Sequence, residues 1–324
     1  MTMLTMAKAL NGGLRRALEA DPKVVIAGED VGKLGGVFRV TEGLQKDFGE
    51  HRVIDSPLAE SGIVGTAVGM ALRGYRPVCE IQFDGFVYPA FDQIVSQAAR
   101  LHYRSRGLLR MPIVIRIPYG GGIGAVEHHS ESPEAYFCHT AGLKVVTCAN
   151  PADAYWMIQQ AVASDDPIIF FEPKRRYHER AEVDESATPA PLHSARVVRP
   201  GTDVTLIAYG PMVKTCLDAA QAASEEGHDL EVIDLRTLRP LDLETVLRSV
   251  EKTNRVMAVE EGPRLGGWAA NLVGALAAEA LHDLDDAWVI ATGETPIPYS
   301  PPLEDAFLPG VGDIVAAVKK LSAW

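Results

Sequence analysis

Short apolar runs alternate with segments of helical spacing from the start of the chain to residue 171. The runs are almost entirely apolar, whereas the segments between them repeat apolar residues every three or four positions. The runs predict strands at 24–26, 53–54, 77–83, 112–117, 143–147 and 168–171. The segments predict helices at 4–20, within 52–74, at 89–103 and at 152–164. Because continuously apolar strands are buried on both faces, the pattern predicts an α/β fold with a parallel sheet and helices on both sides.

The alternation breaks between residues 174 and 202 and then resumes. This segment is first charged and then rich in Ala, Pro and Ser, which is typical of a domain boundary. Beyond it, the pattern predicts strands at 204–208, 230–234, 256–259 and 288–291, and helices near 212–226, 242–252, 267–282 and 311–322. We therefore predict a domain at 1–185, a linker at 186–202 and a smaller α/β domain at 203–324.

The stretch 52–74 combines a strand, a polar turn and a glycine-rich helix, with Glu60 at the junction. Each glycine inside a helix costs about 1 kcal/mol relative to alanine, so a compensating role is expected. Ser61, Gly65 and Gly69 are four residues apart, which leaves one helix face open to another backbone or a ligand. Two interpretations remain: a buried helix with a carboxylate at its mouth, or an ordinary crossover whose glutamate is a solvated cap.

Candidate chemical groups follow the predicted strands directly. Ligands of open parallel sheets bind beyond the carboxyl ends of the strands. A buried carboxylate there could transfer protons, and a histidine adds a second acid or base that titrates near neutrality. The candidates are Glu29, Asp30, Glu60, residues 82–86, His128 and His129.

The histidine pair lies in a glycine-dense loop at 119–134. The loop contains G-x-G-x-x-A at 120–125, but no apolar-periodic helix begins there, which argues against a dinucleotide-binding site. Adjacent histidines point in different directions and no third soft ligand is nearby, which argues against zinc. At this stage both a structural and a catalytic role stay open for the histidines.

The composition narrows the class of protein. The 324 residues are 47% apolar and carry a net charge of −12, which argues against binding to nucleic acid or to an anionic membrane surface. The four cysteines include no C-x-x-C pair, a pattern typical of reduced thiols. No segment reaches the roughly 18 apolar residues of a membrane span, and no basic, apolar leader is evident. We expect a soluble, cytoplasmic protein.

Several motifs along the chain resemble one family: the beta subunits of thiamine-diphosphate-dependent 2-oxo acid dehydrogenases. The similarity extends over nearly the whole chain. The motifs are Val-Ile-Ala-Gly-Glu-Asp-Val (25–31), Asp-Ser-Pro-Leu-Ala-Glu-Ser-Gly-Ile-Val-Gly (55–65), Glu-Ile-Gln-Phe (80–83), Pro-Ala-Phe-Asp-Gln-Ile (89–94), His-Ser-Glu-Ser-Pro-Glu-Ala (129–135), Gly-Leu-Lys-Val-Val (142–146), Phe-Phe-Glu-Pro-Lys (170–174) and Asp-Leu-Arg-Thr-Leu-Arg-Pro-Leu-Asp (234–242).

The resemblance implies a pyrimidine-binding thiamine-diphosphate domain followed by a transketolase C-terminal-like domain. It also implies a heterotetramer of two alpha and two beta chains, with each cofactor at an alpha/beta interface. The alpha subunit of the family carries the motif that begins Gly-Asp-Gly and holds the diphosphate and magnesium. No Gly-Asp-Gly occurs in this chain, so we expect it to be inactive without an alpha subunit.

The resemblance assigns roles to particular side chains. Glu60 corresponds to the glutamate that hydrogen-bonds the cofactor's aminopyrimidine ring and promotes its activation. Leu58, Gln82 and Phe86 correspond to the pyrimidine pocket, with Phe86 at a position that is often tyrosine in relatives. His129 corresponds to the histidine that assists acyl transfer to the lipoyl disulfide; it precedes Ser-Glu-Ser, where relatives have Ser-Gln-Ser or a similar triplet.

The resemblance further implies a structural potassium ion and a partner enzyme. The potassium ligands correspond to oxygens of Ile113, Ala161, Ser164 and Asp166, most of them backbone carbonyls. The lipoyl acyltransferase core would engage this chain through its peripheral-subunit-binding and lipoyl domains. An acidic surface that includes Asp283, Asp285 and Asp286 suits a basic partner, although such residues are often only solvated.

The motifs Glu-Ile-Gln-Phe (80–83) and Ser-Pro-Glu-Ala-Tyr-Phe (132–137) are most similar to the branched-chain subgroup. We therefore predict the 3-methyl-2-oxobutanoate dehydrogenase (2-methylpropanoyl-transferring) type. The alternative within the class is a pyruvate or acetoin dehydrogenase. A self-contained transketolase-like enzyme is a weaker alternative, because the chain leaves no room for a diphosphate-binding domain. From another class, the alternative is a non-catalytic docking subunit.

Overall fold

The computed structural model describes residues 1–322, which form two compact units. The first unit comprises Met1–Tyr119 and Tyr136–Leu192. The second comprises Gly120–Ala135 and the chain from His193 onward. The division at Leu192 falls inside the predicted linker, but the segment 120–135 groups with the second unit although it lies within the predicted first domain. None of the helices in residues 1–322 is both long and apolar enough to cross a membrane.

A parallel sheet forms the centre of the first unit. Its strands run in the order β6-β7-β5-β4-β2-β3, and the pairs are parallel. A separate antiparallel pair joins β1 to β8. The parallel sheet and α/β fold predicted from the apolar runs are confirmed. The strands are β1 (Thr2–Thr5), β2 (Val24–Gly28), β3 (Val53–Asp55), β4 (Arg76–Glu80), β5 (Val114–Tyr119), β6 (Lys144–Thr147), β7 (Ile168–Pro173) and β8 (Arg180–Val183).

The helices predicted at 4–20, within 52–74 and at 152–164 are present, whereas the one predicted at 89–103 is not regular. Instead of a regular helix over 89–103, the chain forms a 3-10 turn at Asp84–Ala90, a π-helical turn at Gln93–Ala98 and a short α-helix. Gly142 crosses here so closely that a Cβ on it would collide with the carbonyl of Ala99. The π-helical turn thus lies where the segment around Gly142 packs against the helix. The spacing of apolar residues within 89–103 could not predict this contact. The α-helices are α1 (Met6–Ala20), α2 (Leu44–Phe48), α3 (Glu60–Leu72), α4 (Leu101–Arg104), α5 (Glu134–His139) and α6 (Pro151–Ala163).

The core of the first unit is built where α1 packs on α6. Leu10 and Leu14 are fully buried, and Ile158 lies in the same cluster. A Cβ on Gly13 would lie 2.6 Å from the carbonyl oxygen of Tyr155. Glycine at this position therefore allows two helix backbones to approach closely, and the approach buries the apolar faces of both helices.

The second unit has its own sheet, in the order β14-β13-β10-β11-β9. β10, β11, β13 and β14 pair in parallel, whereas β9 pairs antiparallel with β11 at the edge. β9 lies inside the predicted linker, and its half-exposed sequence has no strong strand pattern. Its extended conformation is stabilised by pairing with β11. The elements are β9 (Arg196–Arg199), β10 (Val204–Ala208), β11 (Leu230–Asp234), β12 (Thr237–Arg239), β13 (Arg255–Pro263), β14 (Asp286–Thr292), α7 (Pro211–Ser224), α8 (Leu243–Thr253), α9 (Trp268–Glu279), α10 (Pro301–Phe307) and α11 (Val311–Leu321).

Candidate active site

The carboxyl ends of β2, β3 and β4 meet at the point where the strand order reverses. Gly28 at the end of β2 is paired with Asp55 of β3 on one side and with Glu80 of β4 on the other. The amide of Ser56 donates to the carbonyl of Gly28 at 2.8 Å, which ties the first residues after β3 to the end of β2. Ligands of parallel sheets bind at such a switch point, so the residues that follow these strands form the candidate site.

Glu60 lies at this edge as the first residue of α3. Its side chain is 5% exposed, so it is buried rather than solvated. Glu29, which follows β2, is close enough for the two carboxylates to interact. Burial, and secondly the charge of Glu60, raise the pKa of Glu29 above its usual value. One buried carboxylate oxygen of Glu29, Oε1, has no hydrogen-bond partner among residues 1–322. This arrangement could exchange or share a proton with a ligand.

The other predicted pocket residues lie on the same edge. Gln82 donates through Nε2 to the carbonyl of Glu29 at 3.1 Å, which links the segment after β4 to the carboxylate pair. Phe86 and Leu58 are exposed large apolar side chains, 37% and 78% accessible. An aromatic ring, an aliphatic side chain, an amide and two carboxylates are chemically suited to a planar nitrogen-containing ring.

A buried charge network lies in the sheet beneath this edge. Arg116 of β5 donates from Nη1 to Glu80 at 2.5 Å and from Nε and Nη2 to Glu172 at 2.6 and 2.8 Å. Tyr177 donates to Glu172 at 2.6 Å. Arg116 and Glu172 are fully buried. Burial raises the pKa of Glu80, and the positive charge of Arg116 opposes that rise. The sequence analysis missed this network; its only signal was charged residues inside otherwise apolar strands.

A second buried ion pair anchors the segment between Gln82 and Phe86. Lys174 donates to Asp84 at 2.5 Å, and both side chains are fully buried. The Lys174 ammonium also lies 5.6 Å from the centre of the Phe83 ring. Because Phe83 and Asp84 lie between Gln82 and Phe86 in sequence, these contacts hold that segment in place.

His129 lies on the segment Gly120–Ala135, here called the glycine loop, which belongs to the second unit. A short 3-10 turn at Glu127–His129 carries the histidine, and the rings of His128 and His129 lie 4.4 Å apart. The amide of Gly120 donates to the carbonyl of Glu131 at 2.9 Å and brings the ends of the loop together. The loop therefore has hydrogen bonds and ring contacts of its own.

The oxygens that the resemblance assigned to potassium have hydrogen-bond partners within the chain. Arg76 donates from Nη1 to the carbonyls of Val162 and Ser164 at 3.1 and 2.9 Å. The same guanidinium donates to the Asp165 carboxylate at 2.7 Å. A positive charge of the chain thus already lies at the end of α6, where carbonyl groups attract cations.

The remaining assigned oxygens are likewise engaged within the chain. The carbonyl of Ile113 accepts from Ile168 at 2.8 Å, and that of Ala161 from Ser164 at 3.1 Å. The Asp166 carboxylate pairs with Lys144 at 2.6 Å. The potassium site therefore stays a prediction, and the structure adds that Arg76 places a positive charge at Ser164, one of its assigned oxygens.

Comparisons with known proteins agree with this geometry. The family model for the transketolase pyrimidine-binding domain matches residues 2–179, and that for the transketolase C-terminal domain matches residues 193–314. A solved structure described as split gene transketolase, inactive beta4 tetramer, has a TM-score of 0.80 and 22% identity, and covers 99% of this chain and 98% of that chain. At that identity it supports the fold alone.

Two curated relatives are more similar in sequence. The pyruvate dehydrogenase E1 component subunit beta of Leifsonia xyli subsp. xyli is 55% identical over 99% of this chain and 95% of its own length. The 3-methyl-2-oxobutanoate dehydrogenase subunit beta of Mycobacterium tuberculosis is 50% identical over 98% of this chain and 92% of its own length. The predicted fold and family are confirmed, and the chain belongs to the E1 beta subunits of 2-oxo acid dehydrogenase complexes.

Proposed function

We propose that this chain is the beta subunit of a thiamine-diphosphate-dependent dehydrogenase for branched-chain 2-oxo acids. In this proposal it works with an alpha subunit in an α2β2 heterotetramer and passes the acyl group to the lipoyl group of an acyltransferase. The observation that carries the proposal is the buried Glu60 carboxylate beside Glu29, at the switch point of a pyrimidine-binding domain.

The residues at the switch point fit the pyrimidine half of the cofactor. Bound thiamine diphosphate supplies the carbon nucleophile and the electron-accepting ring that decarboxylation requires. Glu60 would hold the pyrimidine ring by a hydrogen bond between its carboxylate and a ring nitrogen, and would share a proton there. Phe86 would pack on the ring face, while Gln82 and Leu58 would limit the space around the ring.

Glu29 has a supporting electrostatic role. Its raised pKa means that burial favours the protonated carboxyl over a second negative charge beside Glu60.

His129 serves the later half of the reaction. The His129 imidazole can donate a proton to a sulfur of the lipoyl disulfide as the acyl group is transferred. The histidine of this role is His129 rather than His128, because it directly precedes Ser130-Glu131-Ser132.

The alpha subunit would hold the diphosphate and magnesium, since no Gly-Asp-Gly occurs in this chain. The open glycine face of α3 is one candidate contact for that subunit: nothing within residues 1–322 lies within 4 Å of a Cβ built on Gly69. In the second unit, Asp283 and Asp285 are exposed acidic side chains that suit the basic peripheral-subunit-binding domain of the acyltransferase.

Pyruvate is the second candidate substrate. The Leifsonia xyli relative is named a pyruvate dehydrogenase subunit, whereas the Mycobacterium tuberculosis relative is named for 3-methyl-2-oxobutanoate. The motifs at 80–83 and 132–137 favour the branched-chain substrate. The assembled complex should be offered 4-methyl-2-oxopentanoate and pyruvate in a dye-coupled assay, with and without thiamine diphosphate. A higher kcat/KM for pyruvate would overturn the substrate and leave the family unchanged.

The catalytic role of Glu60 is tested in the same complex. Glu60→Gln should lower turnover by at least about 100-fold, because the amide cannot take up the ring proton. Glu244→Gln, at an exposed carboxylate that pairs only at the surface, is the matched control and should keep wild-type turnover. Normal activity of Glu60→Gln would instead support a non-catalytic docking subunit.

A further inference from the structure

Glu304 forms hydrogen bonds with the glycine loop, although it lies far from the loop in sequence. Its carboxylate is 1% exposed and lies on α10. Oε1 accepts from the amide of Gly122 at 2.7 Å, and Oε2 accepts from the amide of Gly124 at 2.9 Å. Both oxygens of one buried carboxylate are thus engaged with the loop. Hydrogen bonds to an ionised acceptor are about twice as strong as neutral ones.

The surrounding packing leaves the loop little freedom at this contact. A Cβ on Gly121 would lie 2.8 Å from Ile297 and 3.1 Å from both Glu304 and Leu308. Gly122 and Gly124 have positive φ angles of 87° and 67°, a conformation that glycine adopts without strain. The glycines therefore serve to bring the loop backbone against the carboxylate, rather than to keep the loop mobile.

Only a few residues separate the glycines that Glu304 binds from His129, and hydrogen bonds connect them. Directly after Gly124, the carbonyl of Ala125 accepts from the Ser130 hydroxyl at 3.4 Å. The amide of His129 donates to Val126 at 2.9 Å within the turn at Glu127–His129. His129 thus lies in a compact turn that begins within two residues of Gly124, whose amide donates to Glu304.

We propose that Glu304 is a positioning residue: its carboxylate fixes the glycine loop so that His129 is presented in one place for acyl transfer. This inference rests on the proposed function, since it concerns the step assigned to His129. A histidine that must reach a sulfur within hydrogen-bond distance gains much of its rate from a fixed orientation. The sequence contained no local signal for this role, because Glu304 lies some 180 positions from the loop.

Two variants and one control separate positioning from general stability. Glu304→Gln keeps the shape but has one acceptor, so one glycine amide would face an NH2 group. Glu304→Asp keeps the charge but is one methylene shorter. Asp305→Asn changes the exposed neighbour on the same helix and should match wild type in every measurement.

The assembled complex with its alpha subunit is used throughout. In Glu304→Gln, amide hydrogen exchange should accelerate in peptides covering 120–131, with little change elsewhere. The kcat for reductive acylation of a free lipoyl domain should fall by about tenfold or more. Dye-coupled decarboxylation and the KM for the lipoyl domain should stay within about twofold. Glu304→Asp should recover part of the lost kcat.

Two results would overturn the proposal. Unchanged exchange in 120–131 of Glu304→Gln would show that the carboxylate does not hold the loop. A parallel loss of decarboxylation, acylation and melting temperature would show a merely structural role. A wild-type complex that fails to decarboxylate any 2-oxo acid contradicts the proposed function instead, and the exchange measurement still decides whether Glu304 fixes the loop.

Discussion

The guanidinium of Arg76 donates a hydrogen bond to the carbonyl oxygen of Ser164 at 2.9 Å, just beyond the C-terminus of α6. The same group also contacts Val162 and Asp165. An arginine of the chain thereby neutralises the carbonyl-rich helix end that the family resemblance assigned to a potassium ion.

The first prediction follows from this contact. The melting temperature of the wild-type chain should be the same in potassium and sodium chloride at equal ionic strength. Arg76→Ala should lower it by several degrees, since it removes three hydrogen bonds and the cation from a helix end. Arg73→Ala, at an exposed position three residues earlier, is the control. A wild-type melting temperature that rises markedly in potassium alone would contradict this prediction and support a potassium site.

The second prediction concerns the buried Arg116. Arg116→Met should lower the free energy of unfolding by about 3–5 kcal/mol, because Glu80 and Glu172 would remain buried without their positive partner. Arg248→Met, in an exposed pair with Glu244, should change it by less than about 1 kcal/mol. Urea unfolding of the three proteins measures both values. Equal effects of the two substitutions would show that burial of the network does not determine its energy.

The third prediction is a pH dependence from Glu260 in the second unit. Burial raises its pKa to about 7, against hydrogen bonds from Tyr209 and from the backbone amides of Trp268 and Ala269 that favour the charged form. Because the folded-state pKa lies above the unfolded one, this group's contribution to stability is complete below about pH 4.5. It is lost as the pH rises through about 7, by roughly 3 kcal/mol at most.

Thermal unfolding of wild type and Glu260→Gln between pH 5 and 8 tests that sign. The variant should show a smaller decline of stability across this range, since its amide does not titrate. Glu279→Gln, an exposed carboxylate at the end of α9, should keep the wild-type slope. If stability declined with pH as steeply in Glu260→Gln as in wild type, Glu260 would be excluded as the cause of the decline.

The fourth prediction compares two helical glycines. Gly13→Ala should destabilise the chain by about 2 kcal/mol or more, because the new methyl group meets the Tyr155 carbonyl and the side chain of Ile158. Gly274→Ala, with nothing within 4 Å of the added Cβ, should stabilise it by about 0.5–1 kcal/mol. Chemical denaturation of both variants distinguishes a packing glycine from one without neighbours.

Much of the fold follows from local patterns along the chain. The apolar runs placed β2, β5 and β7 to within a few residues, because strands buried on both faces cannot tolerate many polar side chains. Helix spacing did the same for α1 and α6. The interpretation failed over 89–103, where the pressure of Gly142 on Ala99 accompanies a π-helical turn. The spacing of apolar residues within 89–103 cannot show that the distant segment around Gly142 crosses it.

The sequence by itself determined the α/β class, the family and the identity of Glu60 and His129 as candidates, since each is written in a local pattern or motif. Tertiary structure alone decided which distant groups meet: Glu29 with Glu60, Arg116 with Glu80 and Glu172, Arg76 with Ser164, and Glu304 with the glycine loop. Strand order and register bring these residues together across many positions of the chain. A buried charge reveals its role only when its partner is known, because its energy depends on the distance to that partner and on the exclusion of water.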